Sequence, residues 1–296
     1  METSDRIRGG LWGHLVGDAL GVPHEFKAGS AIPAEVRMVM AGGYPKSFTR
    51  VPYGTWSDDG ALTLALADSL ATRGRVDPAD LGGKMVAWMN RGAYTVDGRA
   101  YDMGNTTTEA VLRLMRGHQA EVAGPSGELD NGNGSLMRTL PLALWHKGTD
   151  EELFADAGRV SAVTHGHPVS RAACGAYSVA ARHLLRGATP AAALVAGLKL
   201  GGQHLRLPLP VPGGSGFVLD TLSYAVRACR DPGSTYRSVV LGAIRLGADT
   251  DTTAAVAGGL VGVRDGMGAI PEEWLRDLRG RDMAGEVIEK FVAACF

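Results

Sequence analysis

Two short stretches concentrate the residues best suited to hold cations. One is Trp56-Ser57-Asp58-Asp59-Gly60, the other Gly247-Ala248-Asp249-Thr250-Asp251-Thr252-Thr253. Each offers two carboxylates and a hydroxyl within a few residues, with few cations nearby. That donor set suits hard metal ions, which prefer oxygen ligands. The pair therefore reads as the centre of a metal-dependent hydrolase. A plainer reading competes at each stretch. Ser57 is a favoured helix N-cap, and acids in a first turn complement the helix dipole. Taken alone, the first stretch reads more readily as a cap than as a metal site; its pairing with the second changes the balance.

Other chemistry-bearing residues gain meaning only from where the chain places them. Glu25 follows a helix-breaking Pro23, so it lies on a loop and matters if that loop folds back over the acidic pair. His24 has no second histidine at ligand spacing and reads as structural or as a rim residue. Asp18, amid small apolar residues, reads as an acceptor for the turn that follows it. Asp102 is a loop acid without an evident partner. In Asp130-Asn131-Gly132-Asn133-Gly134-Ser135-Leu136-Met137-Arg138 the glycines leave amides open ahead of an apolar helix, as in a phosphate cradle to which Arg138 adds charge. The spacing is neither a P-loop nor a dinucleotide fingerprint, and a tight structural turn explains it about as well. His165-Gly166-His167 lacks a third metal ligand, which favours stacking or hydrogen bonding over zinc.

The elements that must position these residues read as helices. Ser4–Ala19 has Ile7, Leu11 and Leu15 on one face, Ser4 as its cap, and Gly9, Gly13 and Gly17 at every fourth position for close packing. A long irregular segment, 28–55, holds one short helix near 34–40. Helical patterns then follow from Asp58 with Leu62, Leu66 and Leu70, over 78–89, and after Asn105 with Ala110, Leu112, Leu114 and Met115 inside. Further patterns run through Leu136, Leu140 and Leu144, over 169–186, 190–199 and 235–246, and from Phe217. Asp249–Thr252 opens another, Pro271 stands at the first position of the next, and 283–294 closes the chain. The proline- and glycine-rich 201–216 reads as a surface loop over the site. Strand patterns are nearly absent, so the expected class is all-α.

Composition narrows the partners. The 296 residues are 45% hydrophobic and 6% aromatic, with 42 glycines, which favours closely packed helices. A formal net charge of -1 and the lack of a basic run argue against a stable nucleic-acid partner. Cys174, Cys229 and Cys295 are widely spaced and odd in number, as expected of reduced thiols in a cytoplasm. No secretory signal or membrane span is evident. One domain, 1–296, and a monomer are the expected organisation.

The segments quoted above occur in the order found in the ADP-ribosylglycohydrolase family, which the chain resembles nearly end to end. They are Gly17-Asp18-Ala19-Leu20-Gly21 with Glu25, Trp56–Asp59, Gly132–Arg138, Thr164–His167 and Gly247–Thr252. The resemblance implies a compact, mainly orthogonal all-α bundle with a binuclear Mg²⁺ or Mn²⁺ cleft. It implies metal ligands at Ser57, Asp58, Asp59, Asp249, Asp251 and Thr252, with Glu25, Asp58 and Asp59 catalytic. It also implies substrate contacts from Asp102 beside the ribose, from Asn131, Gly132, Asn133, Gly134, Ser135, Leu136 and Met137 around the diphosphate, and from His165 near the distal nucleoside. Ser57 and Gly60 stand where relatives often carry threonines. The implied reaction is hydrolysis of the bond between the terminal ribose C1 of ADP-ribose and an acceptor, whether protein side chain, nucleic acid or small molecule. A phosphoesterase acting on the diphosphate and a non-catalytic ADP-ribose binder are the alternatives.

Overall fold

A computed structural model describes residues 1–39, 47–205 and 207–296. Its described residues form thirteen α-helices. In chain order they are α1 (Thr3–Gly21), α2 (Asp58–Arg73), α3 (Pro78–Arg91), α4 (Asn105–Met115), α5 (Leu140–Trp145), α6 (Asp150–Ala162), α7 (Pro168–Leu185), α8 (Pro190–Gly201), α9 (Val218–Arg230), α10 (Tyr236–Leu246), α11 (Thr250–Asp265), α12 (Glu272–Asp277) and α13 (Arg281–Ala294). Among these residues extended pairing is limited to two isolated bridges, Ala28–Gly247 and Gly132–Phe217, so the fold is all-α as expected.

Local chemistry fixes many helix starts. Asp77, His167 and Thr189 cap α3, α7 and α8 with their side chains, each with proline in the opening turn. Thr149 and Glu152 form a reciprocal capping box on α6. Gly74 and Gly92 end α2 and α3 in left-handed backbone, the usual glycine stop.

The centre of the molecule is the pair α1 and α11. Every residue of α11 from Thr250 to Val263 is buried, and so is most of α1. A helix enclosed on all sides has no polar face, and these two meet through glycine. A Cβ on Gly9, Gly13 or Gly17 would stand 2.5, 2.8 or 2.3 Å from the carbonyl oxygens of Gly262, Gly258 and Ala254. The four-residue glycine spacing is therefore a packing seam, as read from the sequence. Tyr236 Oη donates to Gly13 O at 2.5 Å and Tyr177 Oη to Val256 O at 2.9 Å, so the surrounding helices are tied to the seam.

Several local expectations are corrected. Ser4 lies inside the first turn of α1, whose cap position is Glu2 and carries no side-chain bond. Within 28–39 the one helical turn is 3-10, at Gly29–Ala31, and no helix occupies 34–39; residue 40 lies outside the described residues. On α4 the buried residues are Thr107, Ala110 and Val111, while Leu112 and Met115 are exposed. Leu136 precedes α5, which starts only at Leu140. Pro271 is the cap of α12 rather than its first residue.

Candidate functional site: a carboxylate cleft between two helix N-termini

The last turn of α1 holds both acidic stretches. Asp18, fully buried, accepts from Ser57 N at 2.9 Å and from Gly60 N at 2.7 Å. Three residues on, Gly21 O accepts from Thr250 Oγ1 at 2.8 Å, and a Cβ at Gly21 would lie 2.3 Å from Asp251 Cα. The structural role expected of Asp18 holds, but its donors belong to the start of α2 and not to the next turn. Gly60 is needed here for a separate reason: a Cβ would meet Trp56 Cγ at 2.7 Å and Leu15 Cδ2 at 2.8 Å.

Glu25 reaches the pair because its loop folds back. Phe26 N donates to Ala248 O at 2.7 Å and Ala248 N to Lys27 O at 2.8 Å, which clamps the loop onto the second stretch. Phe26, Ala248 and Asp102 all have positive φ, at 62°, 56° and 60°. Such backbone is costly for non-glycine residues and gathers at functional sites. Gly247, with φ 80°, has no room for a side chain, since a Cβ would lie 2.5 Å from Gly29 N. One carboxylate oxygen each from Glu25, Asp249 and Asp251 fall within 4.8 Å of one another.

The two stretches touch directly. Thr252 Oγ1 donates to Asp59 Oδ2 at 3.3 Å, and Ser57 Oγ lies 3.3 Å from the same oxygen. Asn133 Nδ2 donates to Asp249 Oδ2 at 2.7 Å and to Thr221 Oγ1 at 2.8 Å. Other carboxylate oxygens are buried without a partner: Glu25 Oε2, Asp59 Oδ1, Asp249 Oδ1 and both of Asp251. Buried polar atoms are nearly always satisfied, so this concentration calls for a ligand. The donors are all oxygen, which fits hard divalent cations.

The cleft between them encloses about 220 Å³. Glu25, Asp58, Asp59, Asp102, Asp249 and Thr252 line it, and no lysine or arginine is among its lining residues. Burial, then Asp102, pushes the Glu25 carboxyl up to about 11. Burial, followed by the neighbouring acids, also raises Asp58, Asp59 and Asp251 well above the ordinary carboxylate range, and burial raises Asp102 and Asp249. Like charges in low dielectric oppose one another's ionisation. Cations are the simplest way to hold them all charged.

Gly132, Asn133, Gly134, Met137 and His165 also form part of the cleft wall. Burial lowers His165 to about 3, so its ring is neutral at ordinary pH, with Nδ1 beside Thr164 Oγ1 at 2.8 Å. A Cβ on Gly134 would lie 2.8 Å from His165 Cε1, so this glycine makes room for the imidazole. The open-amide cradle is only partly present. Asn133 N donates to Gly216 O, and the helix expected just behind the loop begins at Leu140. Arg138 offers no hydrogen bond to the cleft, being fully buried and donating to Gly134 O and Val160 O, but its charge is felt by Asp58 and His165. Asn131 Nδ2 turns to Glu128 O, Ser135 Oγ to Ser161 and Cys174, and Leu136 to the core, so these three side chains do not line the cleft. His167 caps α7.

Gly104, Asn105, Thr106, Thr107 and Gly216 also line the cleft, and Thr221 supports it; no pattern in the sequence places them there. Of the surface loop expected at 201–216, Gly202–Leu205 instead form a 3-10 turn, while Gly216 lines the cleft and Gly214 O accepts from Asp249 N at 2.8 Å. A second cavity of about 360 Å³ has Phe48, Tyr101, Arg50 and Arg99 among its lining residues. It lacks the carboxylate cluster, and Tyr101 connects it in sequence to Asp102.

An all-α fold around a carboxylate-lined cleft defines a class of helical enzyme whose centre suits hard cations. This chain belongs to the ADP-ribosylglycohydrolase family, whose model matches residues 1–296. It is 33% identical to the ADP-ribosyl-[dinitrogen reductase] glycohydrolase of Rhodospirillum rubrum, over 94% of this chain and 91% of that protein. It is 30% identical to the ADP-ribosylarginine hydrolase Tri1 of Serratia proteamaculans, over 98% of this chain and 79% of that protein. A solved ADP-ribosylglycohydrolase-related protein complex contains a chain that superposes with a TM-score of 0.82 at 31% identity, covering 100% of this chain and 99% of that one. The protein is accordingly a glycosidic bond hydrolase of ADP-ribose–acceptor linkages.

Proposed function

We propose that this enzyme releases ADP-ribose from a modified protein side chain, with two Mg²⁺ or Mn²⁺ ions held by Ser57, Asp58, Asp59, Asp249, Asp251 and Thr252. The observation that carries the reading is the convergence of partnerless carboxylate oxygens from Glu25 and both acidic stretches on one cleft. When bound, such ions supply Lewis acidity toward the ribose hydroxyls and the attacking water. The chain's own residues do the rest. Asp58 and Asp59 fix the cation positions from the first turn of α2. Glu25 orients the water against C1, where positioning alone is worth several orders of magnitude. Asp102 borders the ribose. The Asn131–Met137 segment, through Gly132, Asn133, Gly134 and Met137, flanks the diphosphate, and neutral His165 packs against the distal nucleoside.

Arginine is the acceptor best supported, because two relatives named ADP-ribosylarginine hydrolase align over nearly the whole chain. We take residues 1–296 as one catalytic unit acting in a reducing compartment, consistent with three free cysteines. No helix among the described residues is long and apolar enough to cross a membrane. The test is a calorimetric Mn²⁺ titration with turnover assays on Asp58→Ala and Asp249→Ala. Both variants are expected to keep helical circular dichroism and lose cation binding and metal-dependent turnover. Full activity in both with metal chelated would refute the ligand assignment.

A further inference from the structure

We propose that Asp18 is a positioning residue that caps α2 from another helix and so frees Asp59 for the cleft. The start of an α-helix leaves backbone N–H groups without intrahelical partners. Acidic side chains in the first turn are the nearest acceptors and readily turn back to them. Asp58 and Asp59 are the first two residues of α2, so their carboxylates would satisfy those donors at the expense of the cleft. The structure supplies other acceptors. Ser57 Oγ takes Asp59 N at 3.3 Å, and Asp18 takes Ser57 N and Gly60 N at 2.9 and 2.7 Å. Asp59 Oδ1 consequently has no partner within the protein, and Asp58 and Asp59 both line the cleft.

The same turn of α1 carries Gly21, whose carbonyl accepts from Thr250 at the start of α11. A single helical turn, Asp18–Gly21, thereby sets the separation of the two acidic stretches. Asp18 lies outside the cleft lining, and both of its carboxylate oxygens are taken up by backbone N–H groups of Ser57 and Gly60. Its effect passes through the backbone of α2, in the way that groups behind metal ligands tune affinity.

This inference rests on the proposed metal site, and the experiment separates the two. Mn²⁺ is titrated by calorimetry into wild type, Asp18→Asn and Leu70→Ala, well below each unfolding midpoint. Leu70 is a core residue near the far end of α2, so its truncation destabilises the helix without touching the cap. We expect Asp18→Asn to raise the Mn²⁺ Kd by about 10- to 100-fold, with kcat recovering at saturating Mn²⁺, and Leu70→Ala to leave Kd unchanged. Asp18→Ser, which keeps a small acceptor, gives the same readout should the Asn variant fold poorly. An unchanged Kd in the Asp18 variants, or an equal rise in Leu70→Ala, overturns the positioning role. No Mn²⁺ binding by wild type overturns the metal site itself.

Discussion

Alanine at Gly17 tests the seam that sets the site. The new Cβ would lie 2.3 Å from Ala254 O, 2.7 Å from Ala254 C and 3.0 Å from Ala255 N, all backbone atoms of α11. Non-bonded carbon contacts are comfortable near about 3.5 Å, so the helices must part by roughly 1 Å. Overpacking of this kind costs about 1–3 kcal/mol, and a rigid backbone neighbour puts the cost at the upper end. Alanine regains about 1 kcal/mol of helix propensity over glycine. The expected net loss is about 2 kcal/mol, or roughly 3 °C in Tm for a chain of this length. Turnover should fall further than stability, because α1 carries Asp18 and Gly21 and a 1 Å misplacement costs on the order of a hundredfold. Gly83→Ala is the counterpart. That position, inside α3, has nothing within 4 Å of an added Cβ, so the same change should stabilise by about 0.5–1 kcal/mol. Thermal unfolding of the two variants reads both signs. A Gly17→Ala protein as stable and active as wild type would refute the seam as the spacer of the acidic stretches.

Two further outcomes follow from particular contacts. Gly134→Ala should push the His165 ring from the cleft wall, raising KM about tenfold or more with a smaller change in kcat, the pattern of lost uniform binding; an unchanged KM in steady-state kinetics would contradict the wall assignment. Asp68 ties α2 to Lys84 and Lys290 at 2.6 and 2.7 Å and accepts from Tyr94 at 2.8 Å. Burial opposes its ionisation, but Lys290, Lys84 and Tyr94 outweigh it and hold the carboxyl below its ordinary value. A depressed folded pKa means stabilisation that is present above the unfolded pKa and lost as pH falls through the folded one. Asp68→Asn should therefore cost about 1 kcal/mol at neutral pH, a value kept low by solvent screening. The gap from wild type should shrink on acidification below about pH 4. Urea unfolding across that range checks it, and a gap undiminished in acid would count against the ion-pair account.

Helix type and the identity of the acidic pair were legible because both are local. Ile7, Leu11 and Leu15, or Leu62, Leu66 and Leu70, repeat at helical spacing, and all six are buried. The Gly9, Gly13 and Gly17 spacing announced a close approach without naming its partner. Features made across long separations were not legible. Asp18 reaches the start of α2 across 39 residues, and Ala28 pairs with Gly247. Periodicity also overreached on α4, where Leu112 and Met115 fall on the solvent side. At Arg138 residue type misled in part: a guanidinium beside a glycine loop suggests an anion site, yet its two terminal nitrogens donate to carbonyls and brace the loop, and only its charge reaches the cleft residues Asp58 and His165. Gly132 and Gly134 looked like phosphate-cradle glycines, whereas Gly134 yields space to His165.

Product analysis of an ADP-ribosylarginine substrate, with Mn²⁺ and with chelator, tests the central claim most directly. The account predicts free ADP-ribose and unmodified arginine as the sole products, formed only when the cation is present and lost in Asp249→Ala. Release of AMP, or ADP-ribose formation that proceeds undiminished under chelation, would contradict it.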